Sequence, residues 1–256
     1  MVGIGTDNAS VMVGINMGVY QKLKEDNSTF VPVPCVCHSL QLAIKAAADE
    51  TLPRHLEFLI RETYNWFSHS TIRQNQYKLL YKTINDGHNP LKIMKSCGTR
   101  WLSIESVIFR ILDQWLELKT LFGIARLSEK CYKAEVLYQI YNDDQNLAYL
   151  KFLKPILSEV QAVNKAFESN SANLCKLLSN LSNLVRSLQK KIINPNCKEC
   201  SLTIDIEKHL HPKPYLGYSF EKRIEEIKIK PEYETILRNR CAQFLITFKT
   251  IPIKTP

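Results

Sequence analysis

Two hydrophobic rhythms run along the chain, and they divide it near residue 50. In the first part, Val2-Gly3-Ile4-Gly5-Thr6 is a strand-like run that ends at Asp7-Asn8, and Ala9 to Leu23 has the pattern of a helix stopped by Glu25-Asp26-Asn27-Ser28. Phe30-Val31-Pro32-Val33-Pro34-Cys35-Val36 reads as a second strand. Its prolines lack the N–H that a central strand needs, so it belongs at an edge or a strand end. A helix from about His38 to Ala48 follows. The order strand, helix, strand, helix predicts an α/β unit with two parallel strands.

From Thr51 onward the period becomes 3.6. Leu56, Leu59, Ile60, Tyr64 and Phe67 share one helical face, and Ile104, Val107, Ile108, Ile111, Leu112, Trp115 and Leu118 share another. Leu174, Leu177, Leu178, Leu181, Leu184, Val185 and Leu188 form a third stripe, and Leu147 to Phe167 a fourth, with Pro155 placed to start or kink a helix. Asn85-Asp86-Gly87-His88-Asn89-Pro90 is a turn signal. Asn194-Pro195-Asn196 and His211-Pro212-Lys213-Pro214 bracket a second irregular stretch. The expectation is a mainly α protein with a small α/β part: residues 1–50 as the α/β piece and 51–256 as an all-helical domain. Because the apolar stripes can close on one another, residues 51–248 are expected to form the better-folded part.

Composition changes this picture little. The chain has 256 residues, 45% hydrophobic and 23% charged, with only 8 Gly and 11 Pro and no low-complexity run, as expected of a globular protein with a real core. No stretch approaches the roughly 18 apolar residues of a membrane span, and MVGIGTDNAS lacks the regions of a signal peptide, so the expected place is inside the cell and off the membrane. Eight Cys scattered among helix-like segments predict reduced thiols and no disulfide framework. Charge matters more: 34 Lys plus Arg against 25 Asp plus Glu give +9, which favours a polyanionic partner such as nucleic acid. Solvated Lys-rich helix faces account for the same charge equally well.

The candidate chemistry lies at element boundaries. Asp7 follows the first strand, a position from which a carboxylate can reach a metal ion, and also one that suits a helix N-cap. Cys35-Val36-Cys37-His38 holds a Cys-x-x-His pair, half of a tetrahedral zinc site or, alternatively, a buried Cys and a hydrogen-bonded His locking strand to helix. Cys197-Lys198-Glu199-Cys200 with His209-Leu210-His211 is too tightly spaced for a finger. Gly98-Thr99-Arg100-Trp101-Leu102-Ser103 precedes an amphipathic helix that Ser103 is placed to cap. There Arg100 and Trp101 combine a phosphate contact with a flat surface for a base, unless Trp101 simply closes the end of the helical core.

In their order and spacing, Gly5-Thr6-Asp7-Asn8-Ala9-Ser10-Val11-Met12, Cys35-Val36-Cys37-His38-Ser39-Leu40 and Thr99-Arg100-Trp101 resemble consecutive blocks of hAT-superfamily transposases, in the domesticated, zinc-finger-associated branch. Residues 1 to about 122 carry the resemblance; Val163 to Ser169 and Arg240 to Leu245 are similar to the family's helical insertion domain. The resemblance implies a partial ribonuclease-H-like core followed by that insertion domain. It implies Asp7 as the second of three acids that bind two Mg2+ or Mn2+ ions for phosphodiester chemistry. It further implies Trp101 as the residue that stacks on a flipped base, Arg100 as a backbone contact, and Cys35 and His38 as a structural pair beside the site.

The family's first acid, its third acid and its BED-type zinc finger have no counterpart here. Glu221, Glu225, Glu226, Glu232 and Glu234 lie among Lys222, Arg223, Lys228 and Lys230, the pattern of a salt-bridged exposed helix. One carboxylate does not hold two metal ions. Hence the expectation is a non-catalytic transposase remnant, nuclear, without a cofactor as it stands and with Asp7 a metal ligand only if other acids complete the set. Its partners would be DNA, bound weakly, or a second copy or related transposase-derived protein. The alternatives are an incomplete gene model of an active or larger transposase, and a helical protein-interaction scaffold.

Overall fold

The computed structural model describes residues 3–7, 9–14, 18–95, 101–169, 173–197 and 205–250. Strand β1 (Gly3–Thr6) leads through a short helix α1 (Ser10–Val13) and α2 (Val19–Asp26) to strand β2 (Val31–Pro34). The two strands pair in parallel, in register from Gly3 opposite Val31 to Thr6 opposite Pro34. The pairing is close at its start: a Cβ on Gly3 would sit 2.6 Å from the Val31 carbonyl oxygen. The protein is thus mainly helical with a small two-stranded parallel sheet.

Helices α3 (Val36–Thr51), α4 (Arg54–Ser68), α5 (Thr71–Ile84), α6 (Trp101–Asp113), α7 (Trp115–Ser128) and α8 (Tyr132–Asn142) precede the longest one, α9 (Asp144–Glu168). Then come α10 (Leu174–Lys190), α11 (Tyr218–Ile227) and α12 (Pro231–Thr250). Side chains close several helix starts: Ser70 accepts the Arg73 amide, Asp143 the Gln145 amide and Asn173 the Lys176 amide. At the end of α5, Asp86 and Gly87 take positive φ, as the turn signal there requires. Pro155 lies inside α9, neither starting nor ending it.

The apolar periodicity beyond residue 104 continues across a break that periodicity does not reveal. One helix ends at Asp113 and the next begins at Trp115, although Leu118 stays in the core with Ile104, Val107, Ile108 and Ile111. Gln114, fully buried, makes the junction. Its amide donates to the Leu91 and Arg110 carbonyls, and its oxygen accepts from the Tyr77 hydroxyl at 2.9 Å. Ser103 does not cap this segment, because α6 already begins at Trp101. Only part of the α10 stripe is covered: Leu184 and Leu188 are buried, whereas Leu178 is exposed.

Helix α9 is the centre, with α3, α6, α8, α10, α11 and α12 packed around it. Helix α3 also packs along α12, and its Leu40, Ala43, Ile44, Ala47 and Ala48 belong to the same buried cluster as Leu150, Leu157 and Phe244. A division at residue 50 would therefore cut through α3 close to its end and leave most of a core helix with the sheet. By its packing α3 belongs with the helical core.

Two outcomes follow for urea denaturation of the chain. Ile44→Ala, at a site with no solvent exposure, is expected to cost about 2–5 kcal/mol. A chain beginning at Thr51 is expected to melt at lower urea than one beginning at Pro34. Equal midpoints for those two chains would mean that α3 adds nothing to the helical core.

Candidate nucleic-acid interface

The two strands end side by side. Thr6 and Pro34 are partners in the ladder, and the Cys35 amide extends it by donating to the Thr6 carbonyl at 2.8 Å. Asp7 and Cys35 thus leave neighbouring strands at their carboxyl ends, the edge at which open α/β sheets place their ligands. Asp7 is exposed, and its Oδ1 accepts the Ala9 amide at 3.1 Å. This is a turn spanning two residues, not the expected helix cap, since α1 starts only at Ser10.

Cys35 caps α3 without a side-chain bond to the helix amides, while its carbonyl accepts both the Ser39 amide and the Ser39 hydroxyl. His38 lies half-buried in the first turn of α3. The residue that ties this motif to the core is one the Cys-x-x-His spacing passes over. The Cys37 thiol donates to the Asn164 carbonyl near the end of α9, at 3.7 Å. Burial pushes this thiol up to about 11, and the neighbouring Cys35 and the Glu168 carboxylate push in the same direction. Among the described residues no group of three or more His, Cys, Asp or Glu is arranged to hold a metal ion. Lys198, Glu199 and Cys200 of the second Cys/His stretch lie outside the described residues.

The third motif begins α6. Arg100 lies outside the described residues, as does the side chain of Trp101, whose backbone opens the helix. The place of that opening follows from how α6 runs along α9. The Ser158 hydroxyl donates to Glu105 at 2.8 Å, and the Lys154 ammonium sits 4.3 Å from the centre of the Phe109 ring. Four residues forward on α6 match four residues back on α9, so the helices are antiparallel and position 101 lies level with about residue 162. Asn164, which receives the Cys37 thiol, is only two residues further, on the order of 3 Å along the axis. The starts of α3 and α6 therefore meet at the carboxyl-terminal end of α9, and the sheet end bearing Asp7 adjoins them through Cys35. At that end of α9 the side-chain oxygens of Gln161 and Asn164 are buried without a donor among the described residues.

In the acidic cluster near the end of the chain Glu225, Glu226 and Glu232 are exposed as expected, with Glu226 paired to Arg223, but two members depart from that pattern. Glu221 lies on α11 and Glu234 on α12, and both bind the buried Arg238, at 2.6 and 2.8 Å. The Glu221 carboxylate also accepts the Leu216 amide. These acids are a structural clamp between two helices, with Lys213 joining at Glu234. A pair of bonds to one buried guanidinium fixes orientation as well as charge.

Compared with protein-family models, with curated proteins and with solved structures, the chain finds no match.

The raised Cys37 thiol has a direct chemical consequence. With a pKa of about 11, the thiolate fraction at pH 8 is on the order of one in a thousand. Exposed Cys175 is therefore expected to alkylate long before Cys37 at that pH, and Cys37 should speed up as pH rises toward 11. Peptide mass spectrometry of a timed iodoacetamide reaction reads both sites. Equal rates at pH 8 would show that Cys37 is not held in its protonated form.

Proposed function

We propose that this chain is a module derived from a hAT-type transposase, with a partial ribonuclease-H-like sheet and a helical insertion domain, that binds DNA without cutting it. The observation that carries the reading is the meeting of three separate sequence blocks at one end of α9. Asp7, Cys35 with His38, and Trp101 at the start of α6 are far apart in sequence, yet the parallel sheet and the antiparallel α6–α9 pair bring their backbone positions to one region. Such convergence is what a nucleic-acid site assembled from strand ends and a helix start requires. In this reading Trp101 stacks on an unpaired base, Arg100 contacts the adjacent phosphate, and Cys35 and His38 hold the strand-to-helix corner. The net charge of +9 adds a sequence-independent attraction. A nuclear setting follows from the same reading.

A second reading, a helical protein-interaction scaffold, is favoured by one feature. Packed helices α5 and α7 leave Ile72, Leu79, Leu116 and Leu127 more than half exposed. Light scattering of the chain without DNA separates the two: a stable self-complex supports the scaffold, and a monomer that gains mass only with DNA supports the module.

Binding to short DNA is expected at a dissociation constant on the order of 10⁻⁴ to 10⁻⁶ M, weakening steeply with salt. Trp101→Ala should weaken binding to duplexes with an unpaired terminal base more than to blunt duplexes. Fluorescence anisotropy over a salt series measures both. Equal losses on the two DNAs would remove Trp101 from the interface.

As for catalysis, two divalent cations about 4 Å apart need several carboxylates, and Asp7 is the one acid the resemblance assigns in this chain. Supercoiled plasmid incubated with the chain and Mg2+ or Mn2+ is expected to stay intact, with or without Asp7→Ala. Nicking that depends on Asp7 would make the chain an active nuclease or transposase, its remaining acids supplied by an oligomer or by residues not assigned here.

A further inference from the structure

The seam between α6 and α9 continues beyond the motif end. Positions 101, 105, 109 and 112 of α6 fall within an arc of about 80° at 3.6 residues per turn, so they form one row along the helix. The last member of this row reaches an open cleft of about 300 Å³, where Leu112, Lys151, Lys154, Pro155, Ser158 and Ser219 form the walls. Phe109 stands beside it, 42% exposed, with the Lys154 ammonium over its ring.

The charges around this cleft are unevenly matched. Arg223 takes both nearby carboxylates, Asp144 and Glu226, and Glu105 is engaged by the Ser158 hydroxyl. Lys151, Lys154 and Lys222 have no ion-pair partner among the described residues, so no carboxylate neutralises them there. Burial holds the Lys151 ammonium below its ordinary range; Arg223 and Lys222 add to this, and Glu226 opposes it. Cations crowded into a partly desolvated cleft leave a local excess of positive charge that an entering anion relieves. Ser219 is the second residue of α11, so the positive dipole end of a ten-residue helix lies at the same space.

We propose that this cleft binds a backbone phosphate of a nucleic-acid strand, with Lys151 and Lys154 as cationic ligands, Ser158 and Ser219 as hydroxyl donors, and Phe109 as a flat neighbour for a base. The proposal deepens the DNA-binding reading, since the cleft lies about 16 Å along α6 from position 101 (eleven residues at 1.5 Å each). A strand held at the motif end and laid along the seam passes over it. The assignment nevertheless stands on its own lysines, and it does not depend on Asp7 or Trp101 having any role.

The test compares two double substitutions that remove equal charge. K151Q/K154Q alters the cleft, and K78Q/K82Q alters α5, which packs on α4 and α7. Binding of a fluorescent 12-nucleotide single strand to the full chain is followed over a salt series. K151Q/K154Q is expected to bind at least tenfold more weakly, with the slope of log K against log salt reduced by about 0.7, as loss of one strand phosphate contact predicts. K78Q/K82Q should change both quantities much less. In parallel, inorganic phosphate is titrated into labelled protein and the Ser219 amide followed by NMR; the shift should vanish in K151Q/K154Q. Matching thermal melts for the variants separate lost binding from lost folding.

Strand binding that the two double variants weaken equally would overturn the cleft and leave the DNA-binding module standing. A Ser219 shift with phosphate but no strand binding would overturn the nucleic-acid assignment in favour of a small-anion site. No strand binding and no shift would overturn both.

Discussion

A helix that is apolar around most of its circumference has to be covered on every side, and α9 is such a helix. Leu147, Ala148, Tyr149 and Leu150 are consecutive and all buried, which no two-faced packing allows, and Phe152, Leu153, Ile156, Leu157 and Val160 continue the buried surface. Six other helices meet this demand, and the direction each takes along α9 decides which of their ends come together. Aromatic contacts fill the space at two levels. Phe152 meets Phe220 and Phe244 edge-on, while Trp115, Phe122 and Tyr141 pack between α7 and α8.

The candidate interface is a by-product of this arrangement. Helix α3 follows β2 directly, so its start must adjoin the sheet end, and the Cys37 thiol docks that start on the last turns of α9. Helix α6 runs antiparallel to α9 and so presents its own start at the same place. Nothing in the interface requires a dedicated scaffold beyond the core. The same seam carries the Phe109 and Lys154 contact two turns further on, which places a basic cleft in line with the motif end.

Buried polar groups are used to set geometry. Gln114 holds the corner between α6 and α7, the Thr63 and Tyr141 hydroxyls meet at 2.9 Å, and Arg238 joins α11 to α12 through Glu221 and Glu234. Each has a hydrogen-bond partner inside the protein, as most groups removed from water do. Burial raises the Tyr77 and Tyr141 hydroxyls well above the usual phenol range, so both stay neutral hydrogen-bonding groups.

Much of the local structure was legible in the sequence, because period 2 and period 3.6 follow from backbone geometry alone. The two short strands, the helical character of the chain that follows them, the turn at Asn85 to Pro90 and the buried face of α4 all come from patterns that neighbouring residues impose on one another. So does the adjacency of Asp7 and Cys35, since two strands joined through helices in a small α/β unit pair in parallel. Tertiary packing decided the rest. The break at Gln114 depends on partners 23 and 37 residues away, which no local pattern encodes. That α3 belongs to the helical core depends on α9 and α12, more than 90 residues downstream. The lysine cleft draws on three helices, and two acids of an expected surface pattern, Glu221 and Glu234, instead clamp the buried Arg238 between α11 and α12. Contacts between residues distant in sequence carry no periodic signature, and they exist only once the chain has closed around α9.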